Sequence, residues 1–207
     1  MSEIWSKHLE KTSSYYGELI ERYGHDARAC DYGRAESQQI KFEVMSQVMP
    51  LAKKTVLDVG CGFADFANYL QQEYGQVHYE GIDISAKMIE QAQQLHPELS
   101  LQVFDILKQD IGKTYDLVTA NGIFYLIQDQ PEQHMQHLIS RMYALCNRAV
   151  AFNSLSIWAP FHEDNEFYAD PLKTVEFCKT LTPWVVLRHD YMQHDFTIYL
   201  YREAKGT

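Results

Sequence analysis

Three aspartates stand in or just after three short apolar runs: Asp58 in Val56-Leu57-Asp58-Val59, Asp83 behind Gly81-Ile82, and Asp105 behind Leu101-Gln102-Val103-Phe104. The first is followed by Gly60-Cys61-Gly62. Glycines at the end of a strand permit positive φ and let the backbone approach a ligand closely. Phe63, Phe66, Ala67 and Leu70 then recur at helical spacing, so the N-terminus of a helix, with unpaired N–H groups and positive potential, faces whatever the turn holds. Asp58 selects among polar guests: a carboxylate there repels a pyrophosphate and attracts an ammonium group. Asp83 suits a ribose diol, because one carboxylate accepts hydrogen bonds from both hydroxyls.

The elements that must carry these groups alternate. The spacing predicts strands at 55–59, 77–84, 101–105, 115–127 (a strand with its exit) and 148–154, with helices after the glycine turn, from Ser85 to Leu95, and from Pro131 to about Leu145. The apolar, partly β-branched strands suit a parallel sheet covered on both faces. The chain closes with 184–190 and 196–201, two runs joined by a short turn and therefore an antiparallel hairpin, preceded by a helix near 171–180.

With Asp58, Gly60, Gly62 and then Ala64 where a third glycine is usual, the segment resembles the first motif of the class I S-adenosylmethionine-dependent methyltransferases. Asp83 and Asp105 after the next two strands, Tyr115-Asp-Leu-Val at the fourth, and the closing hairpin extend the resemblance over about residues 52–202. It implies an α/β fold: a doubly wound, seven-stranded, mostly parallel sheet with an antiparallel C-terminal strand, helices on both faces and extra N-terminal helices. It implies S-adenosylmethionine as cofactor, S-adenosylhomocysteine as product, and direct displacement at the sulfonium methyl without a metal. In that pattern Asp58, Gly60, Cys61, Gly62, Asp83, Ile84, Met88, Asp105, Ile106, Asn121 and Gly122 hold the cofactor. Asp105 accepts from the adenine amine, and the Ile106 N–H serves a ring nitrogen. Met88 either touches the nucleoside or fills the core, and Phe124 either lies near the transferred methyl or packs inside. The Asn-Pro-Pro-aromatic signature of enzymes that methylate amide or exocyclic amine nitrogens is absent.

Residues 1–50 carry Trp5, Tyr15, Tyr16, Tyr23, Tyr32 and Phe42, with helical patterns near 13–23 and 37–48. They read as a helical layer on the sheet or as a lid in which Tyr16, Tyr32 and Arg34 wall an acceptor pocket. The long aromatic segment 155–170 reads as a second wall, offering Trp158, Phe161, His162 and Tyr168. Candidate catalytic groups are Tyr32, Tyr125, His162 and His194; Trp158, Phe161, Tyr16 and Arg34 are candidate substrate contacts. His134 and His137 read as a solvated helix face.

A chain of 207 residues suits one domain, 1–207, divided into a cap of 1–50 and a core of 51–207. The balance of 18 basic and 28 acidic residues, net −10, disfavours nucleic acid held by charge. Four scattered cysteines, no apolar leader and no membrane-length apolar run point to a cytoplasmic protein, monomer or homodimer, with a small-molecule acceptor. A protein or RNA acceptor, or cofactor binding without chemistry, are the alternatives.

Overall fold

The computed structural model describes residues 2–30, 35–127 and 129–204. Seven strands form one sheet: β1 (Thr55–Val59), β2 (His78–Asp83), β3 (Ser100–Val103), β4 (Tyr115–Ala120), β5 (Cys146–Leu155), β6 (Val185–Met192) and β7 (Asp195–Tyr201). Their order is β3-β2-β1-β4-β5-β7-β6. The first five are parallel neighbours, whereas β7 runs against both β5 and β6. Hence β6 points the same way as the parallel strands, and the turn after it lies at their carboxyl edge.

Alternation along the strands divides the core into two layers. Leu57, Val118, Phe152 and Ile198 face one layer, closed by α5 (Pro131–Leu145) and α6 (Pro171–Leu181). Val56, Leu117, Ala151 and Tyr199 face the other, closed by α2 (Ala35–Ser46), α3 (Asp65–Tyr74) and α4 (Ala86–Leu95). The β7 tyrosines fasten α2 to this face: Tyr199 donates to the Val44 carbonyl and Tyr201 to the Val48 carbonyl, at 2.5 and 2.9 Å. α2 is held further by a buried ion pair, Lys41 Nζ to Asp195 Oδ2 at 2.8 Å.

α1 (Ser2–Tyr23) extends well before the expected start at 13. Its first turns are rich in charged and polar residues that read equally well as solvated coil. α1 and a short 3-10 turn, Ala27–Cys30, bring Tyr16, Leu19, Ile20 and Tyr23 onto Phe63 and Met88, beside the glycine turn. Lys87 Nζ meets Glu21 Oε1 at 2.6 Å, tying α1 to α4 at its exposed edge. α2 begins and ends two residues earlier than expected, and β5 starts directly at the end of α5. No helix among the described residues is long and apolar enough to cross a membrane.

Candidate functional site

The carboxyl edge of the sheet opens into a cleft enclosing about 1080 Å³ of non-atom space, its mouth included. The floor is the turn after β1. Gly60 has φ +73°, and a Cβ there would lie 2.3 Å from Ile123 Cγ2, so only glycine fits between this turn and the β4 exit. Gly62 also has positive φ, as does Ala64 at +63°, immediately before α3. Alanine thus occupies a left-handed position where glycine is free of strain. Cys61 turns away from solvent against Gly81, whose Cβ would stand 2.8 Å from Cys61 Sγ. Burial, with Asp83 and Asp58 nearby, pushes the Cys61 thiol well above its ordinary range.

The three strand-end acids line this same cleft, side by side on β1, β2 and after β3. Asp58 is buried, accepting from Tyr79 Oη at 2.7 Å and from Thr119 Oγ1 at 2.9 Å. Desolvation pushes its carboxyl up to about 6, while the two hydroxyls hold it down. Asp83 accepts from Ser85 N at 2.8 Å and from Gly62 N at 3.1 Å, so it also ties the glycine turn to the end of β2. Burial raises its pKa against these N–H bonds. Asp105 accepts from Leu107 N at 2.9 Å, which closes the turn after β3.

All of Asp58, Gly60, Cys61, Gly62, Asp83, Ile84, Met88, Asp105, Ile106, Asn121 and Gly122 line the one cleft, although they come from four strand ends and a helix. Tyr16 lines it from α1 and donates to or accepts from Tyr125 Oη at 3.0 Å, so the N-terminal helix is joined to the β4 exit across the opening. Tyr32 and Arg34 lie outside the described residues. Phe124 is fully buried, edge-on to Phe152, and packs in the core.

The second expected wall needs correction. The 155–170 segment closes on itself: Ala169 N donates to the Leu155 carbonyl at 2.9 Å and Ile157 N to the Ala169 carbonyl at 3.0 Å. Its first limb leans toward β6, whereas its second returns by the β4 exit, where Phe167 N donates to the Tyr125 carbonyl at 2.7 Å. Trp158 meets the His189 ring at 5.2 Å over a separate shallow hollow, Phe161 is 85% exposed, and His162 stacks on Tyr168 at 4.1 Å. None of these lines the cleft. His194 does sit in the turn at the carboxyl edge, but that turn is exposed and two strands beyond β5, and it is likewise outside the cleft lining. His134 is buried, its Nδ1 2.7 Å from the Asp129 carbonyl, instead of lying on a solvated face; His137 is exposed as expected.

Several cleft residues escaped the sequence reading. Gln38 and Phe42 project one turn apart from α2, and Asp65, the first residue of α3, lies 3.0 Å from His25 Nε2 at the rim. Asn153 lies just behind the lining and was detectable as a polar residue inside an apolar strand. Among the described residues no group of three or more His, Cys, Asp or Glu side chains could hold a metal ion.

A row of strand-end carboxylates beginning beside a glycine turn fits an ammonium group, a ribose diol and an adenine amine presented in that order. The fold is a Rossmann-like seven-stranded sheet with its cleft at the carboxyl edge. Residues 56–148 match a family described as a methyltransferase domain. A Mycobacterium tuberculosis protein named as a methyltransferase is 29% identical over 157 residues, 72% of this chain and 93% of that one. Trans-aconitate 2-methyltransferase of Rhodopseudomonas palustris is 29% identical over 96 residues, which are 46% of this chain and 36% of that enzyme. Magnesium protoporphyrin IX methyltransferase from Synechocystis, crystallised with S-adenosylmethionine, superposes with a TM-score of 0.70 over 95% of this chain and 97% of that one, at 17% identity. In its central segment and in its fold the chain is thus similar to the S-adenosylmethionine-dependent methyltransferases.

Proposed function

We propose that the chain transfers a methyl group to a small-molecule acceptor held beneath α1 and α2, with residues 1–50 as the lid of a single domain. The observation that carries this is the convergence of Asp58, Asp83, Asp105 and the glycine turn on one cleft under Tyr16 and Phe42. S-adenosylmethionine supplies a methyl already activated by its positive sulfur. The residues here need only bind, align and exclude water. Asp105 and Ile106 face the adenine, Asp83 the ribose, and Asp58 the ammonium end, while Phe63 and Met88 are packed by α1 into a dry wall. Relatives named for trans-aconitate and magnesium protoporphyrin IX support a small acceptor, and the net charge of −10 counts against RNA.

Calorimetry with S-adenosylmethionine and S-adenosylhomocysteine on the native chain and on Asp83→Ala tests the cofactor assignment. Loss of the ribose carboxylate should weaken binding by roughly 1–3 kcal/mol, the cost of stranding polar groups. Native protein that is folded but binds neither compound would sink the reading.

A further inference from the structure

β5 carries a fully buried amide, Asn153, at the end of the apolar run Ala149–Phe152. Its Oδ1 accepts from Gly122 N at 2.7 Å, and its Nδ2 donates to Asn121 Oδ1, also at 2.7 Å. The orientation of both amides follows from one fact: a backbone N–H can only donate. The Asn153 atom facing Gly122 has to be oxygen, its other atom is therefore the NH2 group, and the Asn121 atom facing that group has to be oxygen in turn. Asn121 is left with Nδ2 pointing elsewhere, as a donor. That Nδ2 is buried and has no hydrogen-bond partner among the described residues, on a side chain that lines the cleft. Buried donors in folded proteins are normally satisfied, so an unmet one beside a ligand cleft takes its partner from outside the chain.

We propose that Asn121 Nδ2 is a built donor for an anionic oxygen, a carboxylate above all, carried by the methyl acceptor or by the amino-acid end of the cofactor, and that Asn153 is the positioning residue that keeps a donor there. This rests on the cofactor reading above. β4 lies on the opposite side of β1 from β2 and β3, so the group reaching Asn121 is one beyond the ribose. An amine would bring N–H groups to a position that offers only N–H. Where the acceptor supplies that oxygen, this position favours oxygen acids over amines.

Two variants invert the polarity by different routes. Asn121→Asp keeps an oxygen for Asn153 Nδ2 and turns the cleft side from donor to acceptor. Asn153→Asp keeps an acceptor for Gly122 N–H but removes the donor to Asn121, whose amide can then turn over with no cleft residue changed. Each is titrated with S-adenosylhomocysteine and with 5′-methylthioadenosine, which lacks the amino-acid end. Each is then assayed for methyl transfer from labelled S-adenosylmethionine to a matched set of small carboxylic acids and amines. Binding of S-adenosylhomocysteine weakened tenfold or more in both variants, with 5′-methylthioadenosine unchanged, assigns the donor to the cofactor carboxylate. Unchanged cofactor binding, with KM for carboxylic acids raised tenfold and kcat kept, assigns it to the acceptor. If neither arm moves, the proposal is overturned; a native chain that methylates only amines overturns its acceptor arm. Failure of the native chain to bind S-adenosylhomocysteine overturns the cofactor reading instead, and is seen before either variant is made.

Discussion

Asp58 stores a measurable cost in the folded chain. Its carboxyl has an ordinary value of 3.8 when exposed and is pushed up to about 6 by burial, despite hydrogen bonds from Tyr79 and Thr119. Between those values the folded protein holds a proton that the unfolded chain has released, so this group's contribution is most favourable below 3.8 and is lost as pH rises through 6. A difference of that size corresponds to about 3 kcal/mol against folding at neutral pH. Asp58→Asn removes the charge while keeping an oxygen for Tyr79, and the Thr119 hydroxyl can rotate to accept from the new NH2 group. The variant should therefore gain on the native chain by up to about 3 kcal/mol at pH 7.5 and by roughly half that at pH 5. Urea denaturation reads the gap as a midpoint shift of roughly 1 M at pH 7.5, for a slope near the upper end of the usual range. The difference between the chains cancels every other titrating group. A gap that stays the same from pH 5 to 7.5 refutes the premise that the buried carboxylate is ionised against a desolvation penalty. The same variant should bind cofactor more weakly, since a neutral amide no longer attracts an ammonium group.

Gly60→Ala should lose about 2–4 kcal/mol, combining the left-handed backbone penalty with the clash against Ile123. Gly24→Ala, at φ +62° with nothing within 4 Å, should lose only the backbone part, so urea midpoints of the pair isolate the clash. Lys41→Met leaves Asp195 charged and buried and should cost about 3–5 kcal/mol, whereas Lys41→Met with Asp195→Asn should recover more than half. A double-mutant cycle by chemical denaturation checks this, and additive losses would show that the two groups are not coupled.

How much of this could be read in the chain depends on how local each cause is. The glycine turn and the acids after three successive strands are local features, and in a parallel sheet with right-handed crossovers consecutive strand ends meet at one edge. Their convergence on one cleft needed no knowledge of side-chain packing. The closing hairpin was legible for the same reason, because a short connection permits only antiparallel neighbours. The direction taken by 155–170 was not. Its aromatics advertise a functional loop, but its course follows the Leu155–Ala169 pairing at its neck and the Phe167–Tyr125 hydrogen bond, and no pattern in the sequence announces either. His134 fails for a related reason: its ring meets the Asp129 carbonyl, presented by the turn before α5, and helical spacing does not announce that contact. Asn153 shows what a closer reading would have used. A polar residue in the run Val150-Ala151-Phe152-Asn153 has to find partners, and the parallel register that pairs Ala120 with Phe152 places those partners at the β4 exit, where Asn121 and Gly122 stand. Strand register, once inferred, turns a buried amide on one strand into information about the ligand beside the next.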